Sequence, residues 1–224
     1  MTCAAIIVAA AQGNRAGGEL PKQWQPLAGR RVIDWTVAAF EAVPEIGEIV
    51  IVLRPGDLDM FESRGRVRAV TGGATRTQSV RRGLDALNAS SSSGPDYVLI
   101  HDAARCCIGP GLIRTVLNSL KEGAATAVAT ALPVTDALWR GRNGRVSGTV
   151  DRTDLCRAQT PQGFAFRKIL NAHSEHGGDA ADDVEIARRA GIAVQIVDGD
   201  EQNLKITQPG DFDRAEKILR GQMD

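Results

Sequence analysis

The sequence has no excess of either charge and no long hydrophobic run. Its 224 residues include 27 basic and 27 acidic side chains, so the formal net charge is zero. A chain without net charge has no overall field that draws it to nucleic acid or an anionic membrane, so any bound anion must be held by a local cluster of cations. No apolar run approaches the roughly 20 residues of a membrane span. We expect neither nucleic acid nor membrane as a partner.

Cysteines are few, and they lack the spacing of metal ligands. The four are Cys3, Cys106, Cys107 and Cys156. The adjacent Cys106 and Cys107 could form only a strained disulfide. The N-terminal residues also lack the basic start and long apolar stretch of a signal peptide. Reduced thiols and no leader predict a cytoplasmic protein.

Strand-like runs alternate with helical patterns, which is typical of an α/β fold with a mostly parallel sheet flanked by helices. The predicted strands are 4–9, 48–53, 66–70, 97–100, 124–132 and 192–197, and the predicted helices are 32–43, 80–87, 112–120, 182–190 and 210–219. The segment 88–95 (NASSSSGP) predicts a flexible surface connector. The alternation resumes beyond it, so we expect one domain over 1–224.

The pattern changes between about 133 and 160, a segment that we call the arm. The dipeptide Asn143-Gly144 is a strong hairpin signal, and strand-like residues flank it. Trp139 is the main apolar side chain of this segment, and Trp24, Trp35 and Trp139 are all expected to be packing residues. A two-stranded hairpin is marginal by itself. We therefore expect the arm to pack on something else, with a second subunit as a candidate.

The first strand leads into a loop of small residues and two cations. The small residues are Ala9, Ala10, Ala11 and Gly13, and the cations are Arg15 and Lys22. Small side chains let a ligand approach the backbone N–H groups, which can then face an anion. This loop favours a nucleoside triphosphate site, and a glycine-rich surface loop with solvated charges is the alternative. There is no G-x-G-x-x-G at the strand end, which argues against a dinucleotide-binding dehydrogenase.

Six stretches together resemble one enzyme family. They are VAAAQGNR with PKQW, GGATRTQSV, HDAAR, TVDRTDLCRAQTPQGF, ADDVEIA and NLKIT. In this order they are similar to the 2-C-methyl-D-erythritol 4-phosphate cytidylyltransferases, which serve isoprenoid precursor synthesis. The resemblance implies a Rossmann-like nucleotidyltransferase fold, a homodimer formed through the protruding β-arm, and CTP with a sugar-alcohol phosphate as substrates. It also implies Mg²⁺.

The resemblance assigns roles to individual residues. Arg15 and Lys22 match the catalytic pair that binds the triphosphate and stabilises the transition state. The positions that match nucleotide-binding residues are Ala9, Ala10, Ala11, Gly13, Gly73, Ser79 and Asp102. The positions that match sugar-phosphate-binding residues are Asp102, Arg105, Arg152, Thr160 and Lys205. Asp102 is also placed near the magnesium, whereas a strand-end Asp is otherwise often a helix cap.

The implied chemistry agrees with these residue types. A phosphate monoester oxygen attacks the α-phosphorus of CTP and pyrophosphate leaves. The nucleophile is already an anion at neutral pH, so the site needs cations and alignment rather than a general base. We therefore expect His101 to make a structural hydrogen bond, and we expect no metal site at His173 and His176.

Four positions depart from the family pattern. Ala11 replaces Gly, Cys106 replaces Pro, and Ala137 and Ala181 each replace Thr. None removes a charge that the mechanism needs. Two alternatives stay open at this point, a ribitol 5-phosphate cytidylyltransferase and a catalytically weakened nucleotide-binding protein.

Overall fold

The computed structural model describes residues 1–10, 20–90, 94–123, 125–176, 178 and 180–223. The strands are β1 (Cys3–Val8), β2 (Pro26–Leu27), β3 (Arg30–Arg31), β4 (Ile46–Leu53), β5 (Val67–Thr71), β6 (Tyr97–Asp102), β7 (Ala127–Pro133), β8 (Leu138–Arg142), β9 (Arg145–Val150), β10 (Cys156–Ala165) and β11 (Gln195–Asp198). The helices are α1 (Val32–Glu41), α2 (Arg76–Ser90), α3 (Pro110–Lys121), α4 (Phe166–Glu175), α5 (Asp183–Arg189) and α6 (Gly210–Met223). Short 3₁₀ turns lie at Lys22–Trp24 and Pro55–Met60.

Seven strands form the central sheet, in the order β11-β7-β10-β6-β1-β4-β5. Strands β6, β1, β4 and β5 are parallel neighbours, and β11 is parallel to β7. Only β10 runs antiparallel to its neighbours, β6 and β7. The predicted mostly parallel α/β sheet is confirmed, and it brings the carboxyl ends of β6, β1, β4 and β5 to one edge.

Strand β1 shows how the core is built, because it lies in the middle of the sheet with both faces covered. Cys3, Ala5 and Ile7 pack in the cluster that α1 and α3 complete, whereas the intervening residues pack in the cluster completed by α2 and α4. This alternation is the two-residue period of a strand. Burial on both faces explains why β1 is a continuous apolar run.

Most predicted elements are confirmed with small shifts in their ends, but two segments differ. Strand β10 was not predicted, and its residues 159–164 are buried in the central sheet. Helix α2 continues to Ser90, so the first residues of the expected connector are helical.

The β8–β9 hairpin forms a separate two-stranded sheet. Asn143 and Gly144 both adopt positive φ, at 51° and 72°, as the hairpin prediction requires. Nearly all hairpin residues are exposed or half-buried, and Trp139 is 66% exposed. Trp139 therefore does not pack within this chain, and the expectation that the arm packs on something else stays a prediction. Trp24, by contrast, is buried.

Two expectations from composition can be compared with the described residues. None of the helices in these ranges is long and apolar enough to cross a membrane. All four cysteines are free, and only Cys156 is exposed.

Candidate active site

A cavity of about 570 Å³ opens at the carboxyl ends of the parallel strands. This is the edge at which open α/β sheets bind ligands. Val8 and the two alanines after it line the cavity from β1, and Asp102 lines it from β6. The N-terminus of α2 also contributes. A helix N-terminus presents free N–H groups that favour anions.

Gly72 lets the loop before α2 pack closely against the end of β1. A Cβ atom on Gly72 would lie 2.8 Å from Cβ of Ala10 and 2.9 Å from Oγ of Ser79. The Ser79 hydroxyl accepts from the Gly73 N–H at 3.1 Å and donates to the Thr75 carbonyl at 2.9 Å. The predicted nucleotide residues Ala9, Ala10, Gly73 and Ser79 are thus brought together on the cavity lining.

Lys22 lies on the same lining and is 9% exposed. Its Nζ donates to the Ile206 carbonyl at 2.6 Å. The next residue, Gln23, donates from Nε2 to the Ala9 carbonyl at 3.0 Å, which ties the turn to the end of β1. The other predicted catalytic cation, Arg15, lies outside the described residues, as do Ala11 and Gly13.

Asp102 is held between two cations. Lys205 Nζ donates to its Oδ2 at 2.6 Å, and Arg76 Nε donates to its Oδ1 at 3.3 Å. Burial alone would raise the pKa of Asp102, but the charges of Arg76 and Lys205 outweigh it and hold that pKa well below its usual range. The carboxylate is therefore ionised at neutral pH. All three side chains line the cavity.

Sequence reasoning did not single out Arg76. Its Nη1 donates to Asp183 at 2.8 Å, and Asp183 is fully buried and also contacts His173 Nε2 at 3.1 Å. A local signal was present, because a cation in the first turn of a helix is destabilised by the helix dipole. Such a position therefore suggests that Arg76 has carboxylate partners. His173 is thus a buried partner of a carboxylate, and the described residues contain no group of three potential metal ligands.

A chain of hydrogen bonds fixes the loop that carries Asp102. The Asp102 N–H donates to Thr160 Oγ1 at 3.2 Å, and Thr160 Oγ1 lies 3.0 Å from His101 Nδ1. His101 Nε2 lies 3.2 Å from the Arg105 carbonyl. Burial lowers the pKa of His101 to about 4, so the ring is neutral at pH 7. The predicted structural hydrogen bond of His101 is confirmed.

The remaining predicted substrate residues do not line the cavity within this chain. Thr160 is buried behind Asp102. Arg105 donates from Nη1 to the Asn203 carbonyl at 2.9 Å and from Nη2 to the Ala158 carbonyl at 3.2 Å, and burial lowers its pKa. Arg152 is exposed in the loop between β9 and β10. Their contacts with a sugar phosphate stay predictions.

The segment that carries Lys205 is anchored on both sides. Asn203 Nδ2 donates to the Thr160 carbonyl at 2.8 Å. The Ile206 N–H donates to the Ala104 carbonyl at 2.9 Å, and the Ile206 carbonyl accepts from Lys22. Lys22 is therefore bonded to the same peptide segment that carries Lys205, although the two lysines are 183 positions apart in the chain.

Comparisons with known proteins agree with this geometry. Residues 3–221 match the family model described as IspD, 2-C-methyl-D-erythritol 4-phosphate cytidylyltransferase. A protein of that name from Cereibacter sphaeroides is 54% identical, covering 98% of this chain and 97% of its own. One from Roseobacter denitrificans is 50% identical, covering 98% of each chain. The crystal structure of the Thermus thermophilus protein of that name has a TM-score of 0.81 at 31% identity, covering 98% of this chain and 100% of its own.

Proposed function

This chain belongs to the 2-C-methyl-D-erythritol 4-phosphate cytidylyltransferase family, and we propose that it joins CTP to 2-C-methyl-D-erythritol 4-phosphate. The products are 4-diphosphocytidyl-2-C-methyl-D-erythritol and pyrophosphate, in the methylerythritol phosphate route to isoprenoid precursors. One observation carries this conclusion. Lys22, Lys205 and the start of α2 converge on one cavity around a single ionised carboxylate, Asp102.

The reaction forms one bond and breaks one bond at the α-phosphorus of CTP. An oxygen of the sugar phosphate attacks, and the bond from the α-phosphorus to the oxygen bridging to the β-phosphate breaks, so pyrophosphate takes that electron pair. No proton has to be removed from the attacking oxygen, and His101 is buried with both ring nitrogens engaged in hydrogen bonds, so it is not placed to act as a base. The work left to the protein is alignment and stabilisation of negative charge. We assign the charge stabilisation to Lys22 and Arg15 and the alignment of the sugar phosphate to Lys205.

We further propose that Mg²⁺ takes part, with Asp102 as its protein ligand. Mg²⁺ is usually held by one or two carboxylates together with substrate phosphates. Asp102 is the only acidic side chain among the described residues that line the cavity, and a carboxylate has about four lone-pair sites, of which the two cations use two. When bound, the ion would neutralise charge on the phosphate oxygens.

The arm supports the proposal of a homodimer. Its exposed apolar side chains are Trp139, Val146 and Leu155, at 66%, 58% and 39% exposure. Exposed apolar side chains on a two-stranded hairpin favour a partner surface. We propose that Arg152 binds the sugar phosphate in the neighbouring subunit. Thr160 is proposed for the same phosphate, although its observed hydrogen bonds support a role in holding Asp102.

We treat 1–224 as a single cytidylyltransferase domain, with the arm at about 133–160. The seven-stranded sheet supports this, because it pairs β11 near the end of the chain with β7 and carries β1 at its centre. We also propose a cytoplasmic location, which the four free cysteines support.

Pyrophosphate release measured with CTP, Mg²⁺ and each candidate sugar phosphate tests the function. We expect turnover with 2-C-methyl-D-erythritol 4-phosphate and much slower turnover with ribitol 5-phosphate. Preference for ribitol 5-phosphate would overturn the proposed substrate. Tight CTP binding without pyrophosphate release would instead indicate a nucleotide-binding protein that has lost activity.

A further inference from the structure

Asp57 is a buried carboxylate outside the cavity lining, and it accepts hydrogen bonds from three side chains. It lies in the 3₁₀ turn Pro55–Met60 and is 3% exposed. Its Oδ2 accepts from Trp24 Nε1 at 2.9 Å, from Arg54 Nε at 3.0 Å and from Gln23 Nε2 at 3.4 Å. Its Oδ1 accepts from Arg54 Nη2 at 2.7 Å. We call these four residues the Asp57 cluster.

Two donors of the Asp57 cluster are cavity residues, whereas Asp57 is not. Gln23 and Arg54 line the cavity, and so does Lys22, which precedes Gln23 in the same turn. Gln23 Nε2 also donates to the carbonyl of Ala9, one of the predicted nucleotide-binding residues. Asp57 therefore holds Gln23 and Arg54 from outside the cavity lining, while both of these side chains belong to that lining.

The bond to Arg54 is directional. Carboxylate and guanidinium form a two-pronged pair through Nε and Nη2, which fixes the plane of the guanidinium as well as its position. Nη1 makes no hydrogen bond in the described part of the chain and is available to a ligand. A buried carboxylate thus holds, on the cavity lining, a cation to which the family resemblance assigns no role.

We propose that Asp57 is a positioning residue for CTP, which holds Arg54 and the Lys22–Gln23 turn against the nucleotide side of the cavity. Arg54 is then a further CTP-binding residue. The proposal rests on the proposed function, since it takes CTP as the ligand of this wall. Arg54 follows β4 and Asp102 ends β6, with β1 between these two strands in the sheet, and Lys205 donates to Asp102. Loss of Asp57 should therefore affect CTP and leave the sugar phosphate nearly unaffected.

The chain offers a matched control. Arg31 and Asp34 form the same two-pronged pair at the same sequence spacing, with Nε–Oδ2 at 2.7 Å and Nη2–Oδ1 at 2.8 Å. Neither residue lines the cavity. Arg31 also lies over the Trp24 ring, 5.2 Å from its centroid, so the control breaks the pair at Asp34, whose hydrogen bonds in the described residues are to Arg31.

Steady-state kinetics on the full chain with CTP, Mg²⁺ and 2-C-methyl-D-erythritol 4-phosphate test the proposal. The variants are Asp57→Asn and Arg54→Gln, with Asp34→Asn as the control, and thermal unfolding is followed for each. We expect Asp57→Asn to raise KM for CTP about tenfold, on the scale of one charge-assisted hydrogen bond. KM for the sugar phosphate should change less than about twofold, and the control variant should match the unsubstituted protein.

Each outcome decides the matter. If Asp57→Asn changes both KM values equally, or no more than Asp34→Asn does, Asp57 has only a structural role. If Asp57→Asn fails to fold, Arg54→Gln decides, because it should raise KM for CTP where Asp34→Asn does not. In the double variant Asp57→Asn with Arg54→Gln, KM for CTP should rise less than the product of the two separate effects. An unsubstituted protein without turnover would contradict the proposed function instead, and that result is seen before any variant is compared.

Discussion

The cavity and the β8–β9 hairpin hold their charged side chains in different ways. At the cavity, Lys205 and Arg76 both donate to Asp102, and Lys22 donates to the Ile206 carbonyl. The hairpin and the loop after it carry Arg140, Arg142, Arg145 and Arg152 on the surface. None of these four arginines forms an ion pair within the described ranges.

The strand register of the hairpin makes its difference from the cavity clearer. Arg142 and Arg145 are direct cross-strand partners in the hairpin, where like charges are destabilising. The cavity pairs opposite charges within one chain, whereas the arm presents an exposed indole and four arginines without ion pairs in the described ranges. This difference supports the proposal that the arm acts at a second subunit.

The largest expected effect on activity comes from substituting the proposed catalytic cations of the cavity. Lys22→Ala should lower kcat about 10²–10³-fold, since it removes one preorganised group that stabilises charge in the transition state. Arg15→Ala should do the same. Pyrophosphate release at saturating substrate measures it, and Lys168→Ala on the exposed face of α4 is the control. An unchanged kcat in Lys22→Ala would remove Lys22 from the mechanism.

Next comes the apolar part of the arm. Trp139→Ser should weaken dimerisation about 30-fold, the loss expected for an aromatic anchor of an interface. Sedimentation over a range of concentrations gives the dissociation constant. Met60→Ser, at an exposed apolar position on the body of the molecule, should leave it unchanged. A monomeric unsubstituted protein would contradict the assignment of the arm to a partner.

The charged part of the arm should affect one substrate only. Arg152→Ala should raise KM for the sugar phosphate about tenfold with little change in kcat, because it removes a charged contact to the substrate phosphate. The matched control is Arg145→Ala at the tip of the hairpin. A rise in KM for CTP instead would place Arg152 at the nucleotide.

The smallest effect tests whether the two regions act across subunits. Equal amounts of Lys22→Ala and Arg152→Ala protein are dissociated, reassembled together and assayed well below KM for the sugar phosphate. The mixture should regain roughly a quarter of the unsubstituted activity, because half the dimers are mixed and each mixed dimer has one intact site. Each variant treated alone gives the baseline. No recovery in the mixture would show that Arg152 serves its own subunit.

Local sequence patterns predicted most of the sheet, but not β10. A proline inside a central strand argues against a strand, and Pro161 lies within β10. The structure accommodates it because the pairing of β10 with β7 shifts register between Ala158 and Gln162. No periodicity reveals such an irregularity before the neighbouring strands are known.

The cavity residues show a similar limit. Lys22, Asp102 and Lys205 are found through motifs, and the structure brings all three to the cavity. Arg76 was missed because its partner Asp183 lies 107 residues away. Arg54 was missed although Asp57 is only three residues on, because burial and not spacing distinguishes this pair from the partly exposed pair of Arg31 and Asp34.

The peptide segment through Ile206 has a consequence for how this sequence can change over evolution. The Ile206 carbonyl accepts from Lys22, and the Ile206 N–H donates to the Ala104 carbonyl. The preceding residue, Lys205, donates to Asp102. Inserting or deleting one residue between Asn203 and Ile206 would displace cations proposed for both substrates at once. Substitutions can accumulate around this segment, but its length is constrained, and drift in chain length should concentrate elsewhere, as in the connector beyond Ser90.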